Sequence, residues 1–138
     1  MLHIKKVKPL FNNIITTGNK FEKDVVEKGV ITAKKGDLKL WQKVLAVGSV
    51  VRDIKVGDMV MINPKGYEER KYDKNSLQND MDNNPVLRYS FNWITIDDDK
   101  GNPQNCLFLF DRDILYVFEG EEKAESIIMP DKQKLIIN

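Results

Sequence analysis

The chain has 138 residues, 22 Lys and Arg against 21 Asp and Glu, a net charge of +1, 41% hydrophobic residues and 31% charged ones. This is the size and composition of one globular domain; it excludes a disordered chain, and near-neutrality argues against a general nucleic-acid coat, which needs a cationic face. With one Cys, Cys106, and one His, His3, close to the terminus, there is no disulfide framework, no Cys-based zinc site and no well-placed catalytic base, so no enzyme, metal or cofactor is expected.

No window reaches the roughly 18 apolar residues of a membrane span. Met1-Leu2-His3-Ile4-Lys5-Lys6 is not followed by an apolar run of signal-peptide type, so the expected compartment is a reducing cytoplasm. Lys5, Lys6 and Lys8 form a local basic edge of the kind that solvates a strand edge. Short β-branched runs predict strands at Asn13–Thr17, Lys43–Val47, Met59–Asn63, Arg88–Thr95, Cys106–Phe110 and Ile114–Phe118. Turn chemistry separates them at Gly18-Asn19, Lys35-Gly36-Asp37, Val56-Gly57-Asp58, Pro64-Lys65-Gly66 and 99–103. Strands so spaced suggest a barrel or a sandwich.

Asn19–Leu40 and Lys65–Asn84 are long and polar, have no clear apolar period and read as loops. Phe91–Ile96 and Cys106–Phe110 form a predicted hairpin with a polar tip. Its three aspartates, Asp97–Asp99, do not make an EF-hand: the sixth residue from Asp97 is Asn102 and the twelfth is Phe108. No spacing organises these carboxylates, or Asp80 and Asp82, into a catalytic site. Trp93 stands in an alternating strand and is expected to be at least partly buried. Trp41, in Leu40-Trp41-Gln42, is the interface candidate. After Gly120 come a charged turn and two apolar runs, Ile127-Ile128-Met129 and Leu135-Ile136-Ile137, able to add a strand to a sheet.

The most specific stretch is Lys43-Val44-Leu45-Ala46-Val47-Gly48 followed by Asp53-Ile54-Lys55-Val56-Gly57-Asp58-Met59-Val60. It resembles the central strand pair of the GroES-type co-chaperonins. Lys8-Pro9-Leu10-Phe11-Asn12-Asn13-Ile14-Ile15 is similar to the opening segment of that family, and Arg112–Glu119 to its closing strand. Glu27-Lys28-Gly29-Val30-Ile31-Thr32 is similar to the family's mobile loop, whose apolar residues dock between helices of a chaperonin. Gly48 has a physical role independent of the resemblance: it ends a strand where a side chain would obstruct the turn. The sequence departs from the family in four ways. It has Lys28-Gly29 where two glycines are usual, an apolar run one residue shorter, only Ser49–Lys55 where a roof hairpin would lie, and extra chain at 65–102 and after Gly120.

The resemblance implies an all-β fold, a small GroES-like β-barrel with long loop insertions and a C-terminal extension. A barrel domain would occupy residues 1–119, with a mobile-loop candidate at 18–40 and an insertion at 65–87; the extension is 120–138. It further implies a homo-oligomeric ring, by the resemblance a heptamer, that caps a chaperonin whose own subunits bind ATP. Gly29 would be the flexible entry of the docking loop, Val30 and Ile31 its anchor and Thr32 its exit. The competing expectation for Val30-Ile31-Thr32 is a strand packed on its own barrel. An alternative function is a virion structural protein, a phage capsid accessory or decoration protein that reuses the barrel and binds a virus shell.

Overall fold

The structure, a computed structural model, describes residues 1–71 and 86–123. Its class is all-β. In chain order the strands are β1 Asn13–Thr17, β2 Val25–Glu27, β3 Val30–Thr32, β4 Trp41–Val47, β5 Met59–Ile62, β6 Glu68–Lys71, β7 Val86–Tyr89, β8 Trp93–Asp97, β9 Pro103–Phe110 and β10 Ile114–Phe118. Short 3-10 turns at Pro64–Tyr67 and Asp111–Asp113 precede β6 and β10.

Contacts divide the chain into two compact units, one of Met1–Gly18 with Leu40–Phe118, the other of Asn19–Lys39 with Glu119–Asn138. The first contains a six-stranded sheet in the order β10-β5-β4-β1-β9-β8. Its neighbours pair antiparallel throughout. Strands β10 and β8 are its edges, and among the described residues they do not meet to close a barrel. β6 and β7 form a separate two-stranded ribbon at the base of the 65–87 insertion. The remainder of that insertion and the apolar runs of the tail lie outside the described residues, as do Asp80 and Asp82.

Position in the sheet explains the residue patterns. Central β1 is buried on both faces, with Ile14, Ile15 and Thr16 all at 1% exposure or less, so it reads as a continuous run rather than an alternation. Its neighbour β9 buries Cys106, Leu107 and Leu109 in the same way. Ile14, Val44 and Val60 form the centre of the core, with Val47, Val51, Ile54 and Ile114 packed around them. The β1–β4 register shifts between Ile15 and Thr16, pairing Ile15 with Ala46 but Thr16 with Val44. Leu45 is thereby left without an opposite residue, the signature of a β-bulge.

The chain between β4 and β5 contains no strand. Gly48 turns it: an added Cβ would stand 2.2 Å from the Phe11 carbonyl oxygen, so only glycine lets the two backbones pass. Gly48 N–H then donates to the Asn13 carbonyl at 2.9 Å. Gly57 re-enters the sheet at φ +97 and donates to the Val44 carbonyl at 2.8 Å. At the other end of the molecule's sequence, Asp113 joins three elements. Its backbone carbonyl accepts from Asn63 N–H, and its carboxylate accepts from Phe110 N–H and the Tyr67 hydroxyl.

Candidate functional site

The Asn19–Lys39 segment, expected as an irregular loop, is a β-ribbon. Its root is closed by Lys39 N–H on the Asn19 carbonyl at 3.0 Å and by a bridge between Lys20 and Leu38. Phe21 N–H donates to the Asp37 carbonyl and Gly36 N–H to the Phe21 carbonyl, both at 2.8 Å. Farther out, the Asp24 carboxylate accepts from Lys34 N–H at 3.1 Å and Lys35 N–H at 3.0 Å. The ribbon then becomes a true hairpin, with β2 and β3 paired as Val25↔Thr32, Val26↔Ile31 and Glu27↔Val30. Lys28 and Gly29 form the turn at φ 51 and 78, the left-handed pair that matches strand twist in a two-residue hairpin.

Four of the predicted site residues, Gly29, Val30, Ile31 and Thr32, therefore lie together at the ribbon tip. Gly29 supplies the turn rather than a flexible entry, because its positive φ is a fixed requirement of the hairpin. Val30 is 64% exposed and Ile31 71%. The strand expected as the competing arrangement is present, but among the described residues it pairs with β2 alone, and Val30 and Ile31 are exposed. Val30 and Ile31 are thus two adjacent exposed β-branched residues on a formed hairpin.

Consecutive strand residues point to opposite faces. Ile31 thus shares a face with Val26, its partner in the register, whereas Val30 shares one with Val25 and Thr32. Val26 is the residue of the hairpin that was not expected beside Ile31. Its signal was present: Val25-Val26-Glu27 and Val30-Ile31-Thr32 are β-branched runs separated by two residues ending in Gly. A Lys where Asn or Asp is usual concealed the turn.

Trp41, the fifth predicted residue, belongs to the other compact unit. It is partly buried in β4 opposite Met61, which in turn stands opposite Tyr116. Trp93 is partly buried, as expected. It is 43% exposed, because β8 is an edge strand, and its ring lies against Gly18.

At the ribbon root Lys39 Nζ lies 5.6 Å from the Phe21 ring centroid and 2.9 Å from Glu122 Oε1. The cation is thus held by a ring and a carboxylate together. Among the described residues no group of His, Cys, Asp and Glu could hold a metal ion. The 97–99 aspartates build a turn instead: Asp98 Oδ1 accepts from Lys100 N–H and Asn102 N–H, each at 2.8 Å. His3 is near Asp97, its Nδ1 3.6 Å from Oδ2, at a solvent-exposed position. No helix of the described residues is long and apolar enough to cross a membrane.

No family model matches the chain, and no characterised protein matches it at a significant level.

Proposed function

We propose that this chain is a binding protein of co-chaperonin type: a subunit of a homo-oligomeric ring, of GroES-like barrel framework, that caps a chaperonin through the Asn19–Lys39 ribbon and assists protein folding without catalysis of its own. The observation that carries this is the exposed pair Val30 and Ile31 at the tip of a folded hairpin. The order of the strand segments supports it: β1, then Lys43–Gly48 in β4, the Val56-Gly57-Asp58 turn into β5, and β10 at the close follow the family pattern.

Burying one Val or Ile side chain contributes roughly 1.5–3 kcal/mol, too little for tight binding by one subunit. A ring makes several such contacts at once, and effective concentration multiplies them. The pairing of the ribbon weighs against the mobile-loop expectation. A hairpin already hydrogen-bonded from root to tip loses less entropy on binding than a loop that must order.

The test is size-exclusion chromatography of the chain alone and with a chaperonin ring and nucleotide. The expected result is a ring, seven subunits by the resemblance, which co-elutes with the chaperonin, and Ile31→Asp abolishes co-elution. A monomer that ignores chaperonin overturns the proposal.

A second function, a virion structural protein, draws on a different observation. Edge strand β10 exposes Leu115 at 57%, Tyr116 at 52% and Val117 at 41%, an apolar edge suited to lateral assembly. Binding to a virus shell by a chain that ignores chaperonin would decide for it.

A further inference from the structure

The two faces of the β2–β3 hairpin differ in chemistry, and the difference bears on what the tip can dock into. Val26 and Ile31 face one way and stand opposite each other. Asp24 and the exposed Ala33 flank the two strands, outside the paired residues. Asp24 would place a charge there, but its carboxylate is turned to the backbone, accepting from Lys34 and Lys35 N–H. The paired residues of this face, Val26 and Ile31, are therefore both apolar. The opposite face carries Val25, Thr32 and Val30, with Val30 opposite Glu27 in the register. Thr32 brings a hydroxyl, so burying this side in an apolar site has a desolvation cost.

Around the tip the charge balance is basic. Residues 19–39 hold six lysines and four carboxylates. Two of those carboxylates are farthest from the apolar face in sequence, at Glu22 and Asp37, and Asp24 is committed to backbone amides. Lys23, Lys28 and Lys35 are exposed.

We infer that the ribbon is read from its Val26–Ile31 face, and that the partner's site is a one-walled apolar groove bordered by carboxylates. Val30 then stands away from the groove and contributes little, and the anchor is a cross-strand pair rather than the consecutive dipeptide Val30-Ile31. This rests on the proposed docking function of the ribbon and specifies the chemistry of the partner. An apolar groove takes the pair by burial, and its acidic rim meets Lys23, Lys28 and Lys35, which steers encounter and fixes orientation.

Matched substitutions test it. Val26→Thr and Val30→Thr each keep a β-branched side chain, so the hairpin persists, and far-ultraviolet circular dichroism checks that it does. Binding to a chaperonin ring with nucleotide is measured by surface-immobilised titration at 50 and 300 mM NaCl. Val26→Thr is expected to weaken binding at least about fivefold, since it removes apolar burial, with Val30→Thr within about twofold of wild type. The affinity of the wild type is expected to fall as salt rises. Loss on Val30→Thr with Val26→Thr unaffected overturns the face assignment while leaving the docking function standing. Affinity independent of salt overturns the acidic rim. A wild-type chain that does not bind at either salt concentration overturns the docking function and this inference with it.

Discussion

Thr17 and Gln42 meet between β1 and β4: the Thr17 hydroxyl donates to Gln42 Oε1 at 2.7 Å and accepts from Lys43 N–H at 3.0 Å. Gln42 is fully buried, so its amide oxygen has no access to bulk water. The bulge at Ile15 and Thr16 has just disturbed the ladder, and the Thr17 side chain supplies the acceptor that Lys43 N–H requires. Thr17→Val removes this hydroxyl with little change in shape. The expected cost is about 1–3 kcal/mol, the penalty for buried polar groups left unsatisfied, read as a lower urea midpoint with unchanged m-value.

Gly18 follows at once, and there a side chain has no room. An added Cβ would lie 2.5 Å from Trp93 Cζ3 and 2.6 Å from the Asn105 carbonyl oxygen. The ring can move but the backbone oxygen cannot readily do so. Gly18→Ala is expected to destabilise by about 1–3 kcal/mol and to shift Trp93 fluorescence. Gly48→Ala is expected to cost more, because its nearest obstacles all belong to the backbone of Leu10 and Phe11. Denaturant titration of the two variants side by side checks the order.

The ribbon turn makes a separate prediction. Lys28 occupies a left-handed conformation that costs a non-glycine residue roughly 1–2 kcal/mol. Lys28→Asn is expected to slow amide exchange within the ribbon, and Gly29→Ala to speed it. Exchange of the Ile14 and Leu107 amides in the sheet should be unchanged by either.

Tyr67 predicts a pH dependence. Burial pushes its phenol well above the ordinary pKa of 10.0, and the hydrogen bond to Asp113 and the charge of that carboxylate add to the effect. In the unfolded chain the phenol ionises near 10; in the folded chain it keeps its proton. The stabilising contribution is therefore complete below about pH 10 and is lost as pH rises from there. Wild type is expected to lose stability as pH rises from about 10 to about 11, more steeply than Tyr67→Phe. The variant is also expected to be less stable at pH 7, since Asp113 loses a donor. Thermal melts across that range test both.

Cys106 is buried to 1% exposure, and burial also pushes its thiol pKa up. Both effects oppose thiolate formation and access. A thiol reagent at pH 8 is expected to modify it only in urea above the unfolding midpoint. Rapid modification of the native chain would contradict the placement of Cys106 in β9.

How much of this was legible in the sequence depended on whether a strand is defined by its own residues or by its neighbour. Asn13–Thr17 and Ile114–Phe118 have the observed bounds, because their apolar runs coincide with their pairing. β9 begins at Pro103 rather than Cys106, since Pro103, Gln104 and Asn105 form no apolar run and join the strand through their pairing to β8, with the Thr95 hydroxyl donating to Asn105 Oδ1 at 3.0 Å. The predicted strand Arg88–Thr95 is two strands. β7 pairs with β6 and β8 with β9, and the chain changes partner at 90–92, which no local pattern records. β6, Glu68-Glu69-Arg70-Lys71, has no apolar residue to give it a period. The four tip residues Gly29–Thr32 were found, but their assignment to a loop hid that Val30 and Ile31 face opposite ways. Gly48 was readable because a tight turn leaves its residue type in the sequence. Whether the six strands close is a property of long-range twist and carries no local signal.

The ribbon enters after β1 and leaves before β4, and those two strands are antiparallel neighbours. In the topology of the sheet, the whole of Asn19–Lys39 is the connection of one hairpin, where a turn of two to five residues would serve. It is therefore an exchangeable cassette. Its tip can be recoded or lengthened while the pairings of β1 and β4 stay as they are, because none of the ribbon's residues takes part in them.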